Sequence, residues 1–290
     1  MFIIQQMTNK ILTIVLLTFG WLNLLQAQQT EVLLKGEYLP SKTYESLSKT
    51  TTITTMKMTS DDPKFKEFIK EKYKGKPIVS NSESINESVI KTAAMENGKL
   101  FYVTEFTKSA TTQDLEGETK TTPSEIEGAR VYGHYDDKKQ NVIDSIVKKD
   151  MKAETRKMIG DMQKQVHDNI KYPEKPMKIG ESFKNDIPFD IPMGEAGTMK
   201  MATTVIYTLK KIKDDKAFFD IKTTVTMLSE LKDIKMTASG GGTGKMEYDI
   251  PNKICALYDS DTTMNMDMDM KVMKTKAKVQ AKTIVTIKIK

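Results

Sequence analysis

Cysteine and histidine are scarce in this chain, and their scarcity limits the chemistry it can perform. The 290 residues include one cysteine, Cys255, and two histidines, His134 and His167. A single cysteine allows no intramolecular disulfide, so an apolar core must stabilise the fold. Neither histidine has a second histidine at ligand spacing, and no Ser-His-Asp set is suggested by order or spacing. We therefore expect a protein that is not an enzyme and that holds no cofactor.

Arginine is almost absent as well. The basic residues are nearly all lysine, with arginine only at Arg130 and Arg156, and the formal net charge is +6. Specific recognition of phosphates and bases relies on bidentate arginine. The lysines instead alternate with apolar residues, as they do on the solvent-facing side of strands. Nucleic acid is therefore not an expected partner.

The first 27 residues have the pattern of a cleavable signal peptide. Lys10 precedes the apolar stretch Ile11–Leu25, and the small residue Ala27 follows. A positive start, a short apolar core and a small residue at the cut are typical of secretion signals. The stretch is short for a membrane span, which needs about 20 residues. We predict cleavage after Ala27 and a periplasmic or secreted protein without a stable transmembrane segment; the alternative is an uncleaved N-terminal anchor.

A glycine-rich segment and a lone thiol come nearest to known functional motifs. The segment Ser239–Met246 imitates a phosphate-binding loop, but serine replaces its first glycine and methionine its last hydroxyl residue. We interpret Gly240–Gly242 as an interruption of a strand by a turn or bulge. Cys255 lies in an apolar, strand-like stretch, which predicts a buried and unreactive thiol.

Hydrophobic periodicity predicts an α+β fold. Alternating runs rich in β-branched residues indicate strands, and Asn97–Gly98 between two such runs predicts a hairpin. Apolar residues at helical spacing predict a short helix that begins near Pro63 and a long helix over Val147–Lys171. The polar segment Thr111–Ser124 has no periodicity and is predicted to be a loop. We therefore expect a large, curved, half-barrel-like antiparallel sheet packed on one long and one short helix.

Methionines repeat at every second position near the end of the chain. Four of them alternate with polar residues: Met264, Met266, Met268 and Met270. In a strand, all four thioethers project from one face. The apolar parity changes after Val272, which indicates a bulge or a short turn. Three interpretations of the stripe remain open: a core face, a pliable cavity for a lipid-like ligand, or soft ligands for copper(I).

The mature chain resembles an uncharacterised family of exported bacterial β-rich proteins. Five short phrases carry the resemblance: Gly128–Gly133, Asp144–Ile146, Tyr172–Pro176, Ile179–Phe183 and Thr208–Ile212. The predicted architecture is also similar to that of the periplasmic lipoprotein-carrier half-barrels. That similarity is an analogy of fold, and it implies no functional residue.

Together these patterns predict one β-rich domain over residues 28–290, with sub-halves at 28–172 and 173–290. The expected function is non-enzymatic binding of a hydrophobic, lipid-like molecule, or a structural role in the cell envelope. The methionine stripe provides the candidate ligand-binding residues, and Met158 and Met162 of the predicted long helix join them. The alternative is a periplasmic copper(I)-binding protein that uses the methionine-rich strand.

Overall fold

The computed structural model describes residues 30–137, 140–157, 159–161, 171–192, 198–231, 234–270 and 272–290. Strands account for 68% of the described residues and helices for only 8%, so the predicted α+β class is wrong. The fold is mostly β and is built on one large antiparallel sheet.

The strands in chain order are β1 (Glu31–Val32), β2 (Thr43–Thr59), β3 (Ile78–Glu96), β4 (Lys99–Leu115), β5 (Glu118–Pro123), β6 (Arg130–Tyr135), β7 (Asn141–Val147), β8 (Met177–Lys178), β9 (Ser182–Pro192), β10 (Thr198–Lys213), β11 (Lys216–Leu231), β12 (Ile234–Asp249), β13 (Ile254–Asp269) and β14 (Lys274–Ile289). Helix α1 (Pro63–Tyr73) follows β2, and residues 153–157 and 159–161 are also helical.

The large sheet has 12 strands in the order β7-β6-β4-β3-β2-β14-β13-β12-β11-β10-β9, with β5 paired to β4. It consists of two meanders of neighbouring strands, which the antiparallel pairing of β2 with β14 joins. Strands β1 and β8 form a separate two-stranded sheet. The predicted division of the domain at residue 172 stays a prediction.

Tight turns connect the strands where the sequence offers residues that tolerate positive φ. Asn97 and Gly98 both have positive φ (49° and 76°), as a two-residue hairpin of the primed type requires, so the predicted hairpin is confirmed. Asp214 and Asp215 turn β10 into β11 in the same way, with φ of 53° and 57°. Asp and Asn adopt this conformation at lower cost than other residues with a β-carbon.

The long helix predicted over Val147–Lys171 is not formed as predicted. Val147 ends β7, and Asp150 has a positive φ of 62°, which interrupts any helix that would begin there. Helical residues begin at Ala153, and residue 158 and residues 162–170 lie outside the described part of the chain. The apolar residues at helical spacing therefore belong to the end of β7, a turn and a short helix in the described part of this segment.

Helix α1 begins where the sequence predicted it. The Asp62 carboxylate accepts hydrogen bonds from the backbone N–H groups of Lys64 (2.9 Å) and Phe65 (3.1 Å), and Pro63 occupies the first turn. This N-cap satisfies donors that a helix start leaves free. None of the residues in α1 is buried, so the helix contributes little to the core.

Two further predictions need correction. The polar segment Thr111–Ser124 is not a loop, because β4 continues to Leu115 and β5 returns beside it. The glycines at 240–242 do not interrupt a strand, since β12 runs through them from Ile234 to Asp249. The parity change near Val272 is confirmed as the turn between β13 and β14.

We call the two sides of the sheet the inner and the outer face. The inner face carries Tyr44, Phe219 and Met264, and the outer face carries most of the lysines and carboxylates. Residues 31–42, which we call the N-terminal strap, lie against one end of the inner face. Val32 and Leu34 of the strap are buried in one apolar cluster with Phe219.

Hydrogen bonds and aromatic rings fix the strap in place. The Tyr248 hydroxyl donates to the carbonyl of Lys35 and accepts from its N–H, both at 2.9 Å. The ring of Tyr38 lies 4.8 Å from that of Tyr44, measured between centroids. Burial, followed by the neighbouring phenols, raises the pKa of Tyr38 to about 12. The strap therefore completes the core at this end of the strands.

Candidate functional site

Strand register gathers methionines from several strands at the end of the inner face opposite the strap. Met268 of β13 is the direct partner of Met236 in β12, and Met227 of β11 is the partner of Met201 in β10. We call this group the methionine patch: Met56, Met58, Met201, Met227, Met236, Met264, Met266 and Met268. Its members lie on β2 and on strands β10 to β13.

The patch contains three of the six methionines predicted as a ligand site, and their binding of a ligand stays a prediction. Met264, Met266 and Met268 share the inner face as predicted, but Met270 lies beyond β13, in the turn, where its N–H donates to the carbonyl of Met273. Met158 and Met162 lie outside the described residues. The methionines of the other strands could not be predicted from sequence spacing, because their position beside β13 depends on strand pairing.

Burial distinguishes the patch from the core. At the strap end, Phe219 is 1% exposed and Leu209 0%. Met264, Met266 and Met268 are only half-buried, although Met227 is 6% exposed. At this end of the sheet the half-buried methionines therefore keep accessible apolar surface.

Small residues separate the methionines and leave them room. Met266 lies between Ala238 of β12 and Ala277 of β14, and Met264 faces Gly240. Unbranched thioether side chains with small neighbours adopt several rotamers and adapt to irregular shapes. The patch therefore presents an apolar and deformable surface.

Charge is segregated between the two faces. On the outer face, lysines pair with carboxylates on adjacent strands: Lys245 with Asp220 at 2.5 Å, and Lys282 with Asp259 at 3.6 Å. On β2 and β10 to β14, every inner position in the described pairings holds an uncharged residue. The inner face of these strands is therefore neutral.

Hydroxyl groups form a second band on the inner face, next to the methionine patch. Six residues on adjacent strands are direct cross-strand partners in one row, which we call the hydroxyl ladder: Ser260, Thr283, Thr50, Ser84, Thr111 and Thr122. The Thr50 and Thr283 hydroxyls are 3.1 Å apart, and those of Ser84 and Thr111 are 2.9 Å apart. The inner face thus changes from apolar to hydroxyl-bearing along the strands.

Glycines in β12 allow β13 to approach closely between these two bands. A β-carbon on Gly240 would lie 2.2 Å from the Thr263 carbonyl oxygen, and one on Gly242 would lie 2.0 Å from that of Asp261. The backbone of β13 thus occupies space that a side chain on β12 would need. Glycine at such positions permits local bending of a sheet.

The lone thiol and the described histidine have structural partners. Cys255 is half-buried, its thiol donates to the Leu257 carbonyl at 3.4 Å, and burial raises its pKa to about 12. His134 Nδ1 lies 3.0 Å from a carboxylate oxygen of Asp144. Among the described residues, no group of three or more His, Cys, Asp or Glu side chains is arranged to hold a metal ion.

Comparison with known proteins assigns no family to this chain. No protein-family model matches the sequence, and no curated protein matches it either. A structure of lipovitellin has a TM-score of 0.41 and 12% identity, over 88% of this chain and 26% of that chain. Pseudomonas aeruginosa OccK7 has a TM-score of 0.25 and 5% identity, over 86% of this chain and 99% of that chain. An outer membrane channel from Pseudomonas putida has a TM-score of 0.23 and 7% identity, over 88% and 99%.

This chain therefore spans about a quarter of the lipovitellin chain that it is similar to. At these TM-scores the similarities give no information on function. Within the described ranges, none of the helices is both long enough and apolar enough to cross a membrane.

Proposed function

We propose that this protein is exported and binds a hydrophobic, lipid-like molecule on its methionine patch, without catalysing a reaction. The observation that carries the proposal is the half-buried, neutral methionine patch at the end of the inner face opposite the strap. Burial of apolar surface favours binding by about 25 cal/mol per Å². The signal-peptide pattern of residues 1–27 supports export and action in the cell envelope.

The form of the patch favours a flexible apolar ligand over a rigid polar one. Half-buried methionines keep apolar surface that a ligand can remove from water, whereas the buried residues at the strap end have none left to contribute. Met264 and Met266 lie beside glycine and alanine, so their side chains can move to follow a ligand. An envelope structural role would use the same surface against a larger apolar partner.

The test is binding of the uncharged dye Nile red to the mature protein, with polar substitutions of similar shape. Met266→Gln and Met268→Gln keep side-chain length but add an amide, so we expect at least tenfold weaker binding. Met95→Gln is the matched control, because Met95 is exposed and lies outside the patch. The proposal is wrong if the wild type neither binds Nile red nor carries lipid detectable by native mass spectrometry, or if the control loses as much affinity.

Copper(I) binding is the second candidate, and the pairing of Met236 with Met268 favours it. These two thioethers are on directly opposite residues, and Met266 follows on the same face. Copper(I) prefers soft sulfur ligands. Leucine keeps the shape of methionine without sulfur, so Met268→Leu distinguishes the candidates. Copper(I) uptake in competition with a chelator, present in the wild type and lost in this variant, would favour the metal over the lipid.

A further inference from the structure

Among the described residues, two buried hydroxyl groups in or beside the hydroxyl ladder have no hydrogen-bond partner. Ser260, a member of the ladder, is 6% exposed, and Thr223, on the other side of the glycines of β12, is 8% exposed. Neither side chain hydrogen-bonds to another residue of the described ranges. A buried hydroxyl without a hydrogen bond destabilises a protein, so native structures rarely keep one unless it has another role.

The position of these hydroxyls connects them to the methionine patch. Along β13, Ser260 and Thr262 directly precede Met264 on the inner face, and along β2, Thr54 directly precedes Met56. A molecule lying along the strands therefore meets methionines over one part of its length and hydroxyls over the next. Its two parts must then differ in polarity.

We propose that the hydroxyl ladder binds the head group of an amphipathic ligand, and that this head group is uncharged and carries hydroxyls of its own, as a sugar or a glycerol does. This inference rests on the proposed function, because the methionine patch would hold the acyl chain of the same ligand. Hydroxyls on the ligand and on the ladder act as both donors and acceptors, so each can complete the bonding of the other. The Ser260 hydroxyl gains its missing partner from the ligand.

The distribution of charge disfavours an anionic head group on the hydroxyl ladder. No inner position of β13, β14 or β2 carries a lysine, so a phosphate or carboxylate there would lose water without gaining a counter-charge. The nearest charged inner positions in the ladder region are on β5, where Glu118 and Lys120 have opposite signs. An uncharged polar head avoids this penalty.

The experiment compares ligands that share a dodecyl chain and differ in the head group. Dodecyl maltoside carries a sugar, monolaurin carries a glycerol, and dodecyl phosphate carries an anion. Displacement of Nile red from the mature protein is measured for each ligand below its micelle concentration. We expect Ser260→Ala and Thr50→Val to weaken dodecyl maltoside or monolaurin about three- to tenfold, as expected for one lost hydrogen bond. Both variants should leave dodecyl phosphate unchanged.

A matched control and a folding measurement make the result decisive. Thr51→Val changes a neighbouring threonine on the outer face of β2 and should affect no ligand. Ser260→Ala should unfold at the same urea concentration as the wild type or a higher one, because it removes an unbonded buried hydroxyl. Thr283→Val replaces Thr50→Val if the latter does not fold, and should give the same loss.

The outcomes separate this inference from the function on which it rests. If all three dodecyl ligands bind equally and the hydroxyl variants change nothing, the head-group assignment is overturned while lipid binding stands. If none of them displaces Nile red, both proposals fail. The stronger of dodecyl maltoside and monolaurin identifies the head group as sugar or glycerol.

Discussion

Gly242→Ala tests whether the close approach of β12 and β13 depends on glycine. The added β-carbon would lie 2.0 Å from the Asp261 carbonyl oxygen and 2.8 Å from the Thr262 α-carbon. Ordinary contacts between carbon and oxygen are about 3.3 Å or longer. Both neighbours are backbone atoms, so no side-chain rotation relieves the clash. Strands β12 and β13 must therefore separate by about 1 Å or more at this point.

The expected cost follows from two opposing effects. Overpacking typically costs about 1–3 kcal/mol, and each backbone hydrogen bond between β12 and β13 that is stretched beyond its range costs about 1 kcal/mol more. Replacing glycine restricts the unfolded chain, which returns about 0.4–1 kcal/mol. With one such bond stretched, we therefore expect Gly242→Ala to lower the free energy of unfolding by about 1–4 kcal/mol.

Urea unfolding of the mature protein, followed by circular dichroism, measures this change. Ser239→Ala is the matched control, because Ser239 is exposed on the outer face of the same strand and should stay within about 0.5 kcal/mol of the wild type. A Gly242→Ala protein as stable as that control would refute the reasoning, since it would show that β13 can withdraw from β12 at no cost.

Three further predictions concern the thiol, the tyrosines and the N-terminus. Cys255 should react slowly with thiol reagents at pH 8 in the folded protein and rapidly in urea, because burial raises its pKa to about 12; rapid labelling of the native protein would contradict this. Burial also raises the pKa of Tyr38 and Tyr172 to about 12 from 10.0. The protonated phenols are thus favoured in the folded state, and stability that is complete below pH 10 should fall as the pH rises through 12; an unfolding midpoint in urea that is constant over this interval would disprove it. The mass of protein exported by its host should correspond to a chain that begins near Gln28 and lacks Trp21; the mass of the full chain would exclude cleavage.

The parts of the fold that the sequence predicted are those with a local physical signal. Asn97 and Gly98 tolerate positive φ, so their hairpin was visible in two residues. The alternation of methionines in β13 correctly predicted that their side chains share one face of the strand. In β5 no residue is buried on either face, so no alternation of hydrophobicity exists from which a strand could be predicted. The long helix was wrong because spacing alone does not reveal the positive φ of Asp150.

The candidate site was predictable only in β13, the strand with the most methionines of the patch. Met264, Met266 and Met268 were found from their spacing, whereas Met56 and Met236 belong to the patch through pairings distant in sequence. The hydroxyl ladder was not predicted, because threonines and serines are common on strands and become a row only when the register is known. The glycines of β12 were interpreted as a break, although they allow the close approach of β13.

The pairing of β2 with β14 has a consequence for how the protein folds. Each meander forms from hairpins between neighbouring strands, but this pairing joins Thr50 to Thr283, which are 233 positions apart. Closing so long a loop costs more chain entropy than forming a hairpin, so the pairing of β2 with β14 should form slowly and late in folding. Met56 of β2 and Met266 of β13 belong to different meanders, and β14 lies between their strands. A ligand that contacts both meanders would bind only the folded state, so it would stabilise the pairing of β2 with β14. A higher ligand concentration would then favour the completely folded protein.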